Sequence, residues 1–356
     1  MSVSAATTVL LRAVPVVALA VVIVWQAPSV LSLVASAAAD AVTADPVWLG
    51  GGLAAAVASM VAFGHLRQRT LRAAGARVSL GEATALTYSA GALHLTAPAG
   101  TVVSTGHVFR RLQRAGVRPA AIAYSLAVSG LVGSVTLGVL GATGILINGS
   151  TAGSTSIAAG IAGAVGIAAA TTWVVRRPQA VARLAETALV RVNRVLRRPP
   201  EAGVLGLRAT FDDLRDVRAT GRDWAAATVA ATANWLLDLG CLWACAHAVG
   251  LPVSPLVLLT SYAVAMAGVG VSPLPGGLGV VDAVLVLGLT TAGAPATAAL
   301  GAVLLYRLIS NGSVIVGGWT AVAAHTAHHR LRRPTGGQAT EPSPTSAGGG
   351  PLSHAS

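Results

Sequence analysis

Residues 120–147, "AAIAYSLAVSGLVGSVTLGVLGATGILI", contain no charged side chain. As a helix the run would reach about 42 Å at 1.5 Å per residue, more than the roughly 30 Å hydrocarbon core of a bilayer. Further apolar blocks occupy 8–25, interrupted by Arg12 and Pro15, 47–64, 157–175, 224–249 and 297–324, the last two each holding one charged residue. Lipid cannot satisfy free backbone amides, so only helices and closed barrels span it. A barrel would show short segments of strict alternation, about ten residues each. No such segments occur. The reading is an all-α polytopic membrane protein with six full crossings. Only 10% of residues are charged, against roughly a quarter in soluble domains.

The net charge is +12, and every basic side chain is Arg. The arginines gather between the apolar blocks: Arg67, Arg69, Arg72 and Arg77, the stretch "RRLQRAGVR" at 110–118, the connector 176–223, and Arg330, Arg332 and Arg333. The positive-inside rule puts these on the cytoplasmic side and places both termini there. Residues 27–46, with Asp40, Asp45 and no Arg, and the uncharged "NGSTAGSTS" (148–156) suit the outer face. Aromatic residues make up 4% of the chain, too few for a stacking nucleic-acid surface. No nucleic-acid partner is expected. The "ASAAAD" at 35–40 resembles a signal-peptidase site, yet the first helix is expected to be retained. Residues 1–333 read as one membrane domain, with an Arg-rich cytoplasmic connector at 176–223 that is amphipathic near 211–218. Residues 334–356 form a low-complexity tail expected to be disordered. Cys241 and Cys245, one helical turn apart in an apolar block, read as packing residues.

Two apolar segments do not fit plain crossings. Residues 80–106 lie between two basic stretches on the same side, so they must enter and return. They are too few for two crossings, and a hairpin broken at "APAG" (97–100) fits. Residues 256–292 are interrupted by "SPLPGG" (272–277) into two arms shorter than the membrane core. The expectation is two re-entrant hairpins that enter from opposite sides, the arrangement of an inverted repeat. Pro98-Ala99-Gly100 parallels Pro275-Gly276-Gly277, and Gly116 and Gly293 follow the two prolines at the same spacing.

The second break carries the candidate chemistry. Proline inside a helix removes a donor and clashes with the preceding turn. Gly276, Gly277 and Gly279 allow positive φ and leave backbone amides uncovered. A helix restarting near Gly279 would present unpaired N–H groups and a positive dipole end, which favours an anion. Arg307 in "LLYRLIS", Asp282 after the glycines and Asp238 in "NWLLDLG" lie within apolar spans. Each would cost at least about 2.5 kcal/mol facing lipid. They should therefore pair or line a wet cavity. Either Asp282 or Asp238 could hold Arg307 in place or carry a proton. The substrate-binding set is thus Pro275, Gly276, Gly277, Gly279, Asp282, Tyr306, Arg307 and Asp238, joined by Pro98, Gly100 and His94 at the first hairpin. Glu82 reads as a helix-start residue. "HTAHH" at 325–329 has metal-like spacing but reads as interfacial histidine. No catalytic triad, nucleotide-binding glycine loop, cofactor site or metal site stands out.

The order "SPLPGGLGVVDAVLVLGLTTAGAPATAALGAVLLYRLIS" resembles the signature of the lysylphosphatidylglycerol synthase transmembrane, or flippase-like, family. That signature joins a Pro-Gly-Gly-x-Gly run, an acidic residue and a Tyr-Arg pair, here Pro275 to Gly279, Asp282, and Tyr306 with Arg307. "NWLLDLGCLWACAHAVG" is similar to the preceding span of an actinobacterial branch. The likeness covers roughly residues 5–325. It implies a bacterial plasma-membrane protein that translocates lipid, without the aminoacyl-transferase domain of the family's large members. The first half departs from the pattern. Many members carry a carboxylate after the first proline, where this chain has Ser104 and His107. Many carry a Glu-Arg pair in the next span, where it has Ser129 and Gly130. The leading expectation is a translocator for an anionic phospholipid or polyprenyl-linked lipid. A scaffold for an envelope-synthesis protein partner and a membrane-embedded lipid-modifying transferase are the alternatives.

Overall fold

The computed structural model describes residues 44–97, 99–148, 177–195, 219–268, 275–277 and 279–331, and the isolated positions 166, 199, 201, 203–205 and 209. The blocks at 8–25 and 157–175, the 211–218 stretch, "ASAAAD" and the tail from 334 fall outside these residues. Among the described residues the fold is entirely helical. The helices are α1 (Pro46–Ala73), α2 (Leu80–Thr96), α3 (Gly100–Arg114), α4 (Pro119–Asn148), α5 (Pro178–Val195), α6 (Gly221–Ala248), α7 (Pro255–Gly268), α8 (Val280–Thr291) and α9 (Ala296–Leu331). A 3₁₀ turn, Pro275–Gly277, precedes α8. Four of them, α1, α4, α6 and α9, are long and apolar enough to cross a membrane.

Local sequence explains the helix starts. Asp45 caps α1 by accepting from the Val47 amide at 2.8 Å, with Pro46 in the first turn. Ser79 and Glu82 form a reciprocal capping box at α2, as do Thr220 and Asp223 at α6. Glu82 is thus a helix-start residue, as expected. The long spans overrun their apolar blocks. Helix α1 continues to Ala73, so Arg67, Arg69 and Arg72 lie in its last turns and not in a loop. Their long apolar stems let them extend a membrane helix beyond its uncharged core.

Both anticipated breaks exist. The chain leaves α2 at Ala97 and re-enters helix at Gly100 through Ala99, a left-handed alanine with φ of 53°. The counterpart of Ala99 in the second half is Gly276, with φ of 67°. Helices α2 and α3 pack on each other, as do α7 and α8. The arms α7 and α8 are about 21 and 18 Å long, too short to cross a bilayer core.

The two halves are related as the sequence parallel suggested. The register that places Pro98 on Pro275 also places α1 on α6, α2 on α7, α3 on α8 and α4 on α9. Every helix packing in one half has its image in the other. Helix α9 packs on α2 as α4 packs on α7, and α9 packs on α6 as α4 packs on α1. Helices α1 and α6 run antiparallel at the centre. The Asp45 amide donates to the Ala248 carbonyl at 3.1 Å, Trp48 meets Trp243 edge-on at 5.2 Å, and Ser59 donates to Asn234 at 3.1 Å. This is the packing of an inverted repeat.

Membrane helices have no hydrophobic drive toward one another, because lipid is as apolar as their own side chains. Close approach of small residues supplies the packing here. A Cβ on Gly64 would lie 2.8 Å from the Thr84 backbone, and one on Gly318 would drive into the Tyr88 carbonyl and the Ala92 methyl. Cys241 and Cys245 are fully buried free thiols in the central core, as expected of packing residues. Val139, Val229, Leu287, Leu308 and Val316 are exposed on the outside, where lipid would cover them.

Candidate functional site

The polar residues of the second half form two adjoining clusters. In the first, Arg307 on α9 donates from Nε to Oδ1 of Asp282 at 2.6 Å and from Nη1 to the Gly276 carbonyl at 3.2 Å. The second oxygen of Asp282 accepts the Gly279 amide at 2.9 Å. The break therefore supplies both a carbonyl for the guanidinium and an amide for its counter-ion. Positive φ at Gly276 and Gly279 turns these groups out of the helical ladder. The pair is mostly buried, with side chains 12% and 21% exposed for Arg307 and Asp282. Nη2 of Arg307 is buried and meets no acceptor among the described residues.

The arrangement refines two expectations. Asp282, not Asp238, holds Arg307. The start of α8 is also not left bare: Asp282 already takes one of its amides, so the resident anion is a side chain of the protein. The spare donor is on the guanidinium.

Asp238 on α6 belongs to the second cluster. Its Oδ2 accepts from the Tyr262 hydroxyl at 2.5 Å and the Tyr306 hydroxyl at 2.7 Å, and its Oδ1 accepts from Ser310 at 3.1 Å. Both tyrosines are buried. Three hydroxyl donors satisfy this carboxylate and tie α6, α7 and α9 together. Adjacent residues Tyr306 and Arg307 thus serve different carboxylates. Tyr262 and Ser310 were missing from the sequence-derived set. Their only signal was a hydroxyl within an apolar helix.

The first hairpin contributes less. His94 lies half-buried near the end of α2, with Nδ1 3.4 Å from the Thr101 hydroxyl. Gly100 begins α3, where a Cβ would drive into the His94 carbonyl. Pro98 and the side chain of Pro275 fall outside the described residues, and Gly277 is buried. The two hairpin tips touch: a Cβ on Gly276 would lie 2.7 Å from the Leu95 side chain. In the shared register Tyr306-Arg307 falls on Ser129-Gly130 and Asp282 on Thr105, so the first half holds no matching ion pair. It holds instead a buried arginine that sequence reasoning placed in a loop. Arg67 is 7% exposed and lies over the Phe63 ring at 5.4 Å, and its Nε and Nη1 meet no hydrogen-bond partner among the described residues. Beside it Thr70 bonds the Ser125 and Ser129 hydroxyls at 2.7 and 3.1 Å. Among the described residues no three His, Cys, Asp or Glu side chains converge as a metal site, and the side chains of His328 and His329 fall outside them.

The model of the lysylphosphatidylglycerol synthase TM region matches residues 11–318, so the chain belongs to that family. Comparison with curated proteins gives no match.

Proposed function

We propose that this member of the lysylphosphatidylglycerol synthase transmembrane family moves the headgroup of an anionic lipid, a phospholipid or a polyprenyl-linked carrier, across the bilayer. The observation that carries the reading is the buried Nη2 of Arg307. It is a cationic donor left over after Asp282 and Gly276 have been served, at a helix break inside an apolar bundle. A phosphate oxygen is an acceptor that a guanidinium N–H suits well.

Helices α7 and α8 are too short to cross, and the α2–α3 hairpin mirrors them from the other end of the bundle. In this reading both pairs are re-entrant, and their tips meet near the midplane at Leu95 and Gly276. The phosphate sits against Arg307 while the acyl or prenyl chains stay in lipid. Asp282 acts as the internal counter-ion, holding the guanidinium when the site is empty and sharing it when a headgroup enters. His94 and Gly100 shape the facing tip. Asp238, through Tyr306, fixes the turn of α9 that aims Arg307. With no nucleotide motif in the sequence, the drive comes from an ion gradient, the lipid gradient or a partner protein. The arginine-rich ends of the helices mark the cytoplasmic side.

The test is headgroup accessibility in phosphatidylcholine vesicles carrying a fluorescent phosphatidylglycerol. Wild type should expose the inner-leaflet label to an external quencher, and Arg307→Ala should slow this about tenfold or more. Equal rates for both proteins, well above empty vesicles, would remove Arg307 from the mechanism. A wild-type rate no faster than that of empty vesicles would overturn translocation of this lipid class.

A further inference from the structure

A cavity of about 1150 Å³ opens at the end of the bundle where α1 ends and α2 begins. It lies apart from the Arg307 cluster, none of whose residues lines it. Small-molecule sites run from roughly 300 to 1,000 Å³, so this one has room for a whole headgroup.

Its lining is strongly one-sided. His107, Arg110, Arg111 and Arg114 are spaced so that α3 turns one face into the cavity. Helix α3 is anchored by Val108 and Leu112, buried against Leu71, Leu86 and Ile122, and Leu86 and Leu112 form an apolar floor to the cavity. Arg77 from the α1–α2 loop and His325 from α9 complete the wall. Glu82 is the one carboxylate in the lining, and it is engaged by the Ser79 amide and hydroxyl at 3.1 and 2.9 Å. Four guanidinium groups therefore face one committed carboxylate. The positive-inside rule accounts for basic loops, but it does not require a basic helix face lining a cavity with an apolar floor. His107 is placed by the Ser89 hydroxyl at 3.0 Å. Burial, and then the charges of Arg111, Arg110, His325 and Arg114, hold its imidazole below the usual histidine range.

We propose that this vestibule is a second anion site, one that binds a phosphomonoester or diphosphate group bearing at least two negative charges. A singly charged phosphodiester would leave most of the arginine charge unmatched. The planar forks of Arg110, Arg111 and Arg114 suit a group with several phosphate oxygens. The ligand is either the headgroup of a lipid or a soluble phosphorylated compound.

The experiment is calorimetric titration of the full-length protein, in phosphatidylcholine nanodiscs, with inorganic pyrophosphate. Wild type should bind saturably. Arg110→Gln combined with Arg114→Gln should weaken binding by at least about tenfold. Arg191→Gln combined with Arg194→Gln, the same charge change on α5, should leave it unchanged. Elution volume and thermal unfolding report whether the α3 variant folds, and Arg77→Gln in the loop replaces it if it does not. No saturable binding, or equal weakening by the α5 pair, would overturn the site. In nanodiscs containing phosphatidic acid, loss of pyrophosphate binding assigns the site to lipid headgroups, and retention assigns it to soluble anions. Because translocation is read by the quencher assay on Arg307→Ala and this site by pyrophosphate binding to the α3 variant, failure here leaves the translocation reading standing, and the reverse holds too.

Discussion

Nε of Arg307 lies 2.6 Å from Oδ1 of Asp282, while the other oxygen of that carboxylate takes the Gly279 amide. One side chain therefore joins the last span to the start of the half-length helix α8. Removing either partner strands the other charge in an apolar bundle. Asp282→Ala and Arg307→Ala should each destabilise the protein by about 3–5 kcal/mol. The double variant should cost clearly less than the sum, because no charge is then left alone. A double-mutant cycle on thermal unfolding in detergent checks this, and additive losses would mean that the pair does not form.

Asp238 presents the opposite case, a carboxylate held by hydroxyls. Tyr262→Phe or Tyr306→Phe alone removes one of three donors and should cost about 1–3 kcal/mol. Together they leave Ser310 as the one donor described here, so the combined loss should exceed the sum. If the double variant is additive or milder, the hydroxyls do not share one carboxylate.

Close helix approach makes two glycines sensitive and a third one tolerant. Gly318→Leu must push α9 away from Tyr88 and Ala92 on α2, and Gly317→Leu meets the Tyr88 ring, which lies 2.8 Å from a built Cβ. Each should lower stability by about 1–3 kcal/mol. Gly312 has nothing within 4 Å, so Gly312→Ala should be neutral or gain up to about 1 kcal/mol from helix propensity. Unfolding temperatures of the three variants rank the prediction, and a destabilised Gly312→Ala would contradict the packing.

The proposed re-entry of both hairpins sets which loops should share a side. Single cysteines at Gly75 and Gly116, one on each side of the first hairpin, should react with an impermeant thiol reagent from the same face. Cysteines at Gly250 and Gly293, flanking the second hairpin, should react from the opposite face. The background needs alanine at the buried Cys241 and Cys245. Labelling of Gly75 and Gly116 from different faces would mean that α2 and α3 together make one crossing, and the half-depth geometry would be lost.

The legible parts of the molecule are those with short-range causes. Long apolar runs announce α4 and its companions, as Ser79 with Glu82 announces the start of α2. Pro-Gly clusters announce both breaks, and their matched spacing announced the repeat. The less legible parts come from helix azimuth. Arg67 sits in a run of arginines that reads as loop, yet its turn of α1 faces inward, over Phe63 and beside α4. Tyr262 looks like any aromatic in an apolar helix until α7 is laid against α6.

Hydropathy, span length and backbone breakers are properties of neighbouring residues, so the amino-acid order alone determined a helical membrane protein, its two broken hairpins and the presence of a charged pair. Which carboxylate meets Arg307 was open, because Asp238 and Asp282 stand on different helices and either could have faced α9. Rotation and packing of α6, α8 and α9 decided for Asp282. The same packing gathered Arg77, the α3 face and His325 around one cavity, from chain positions with no local reason to meet.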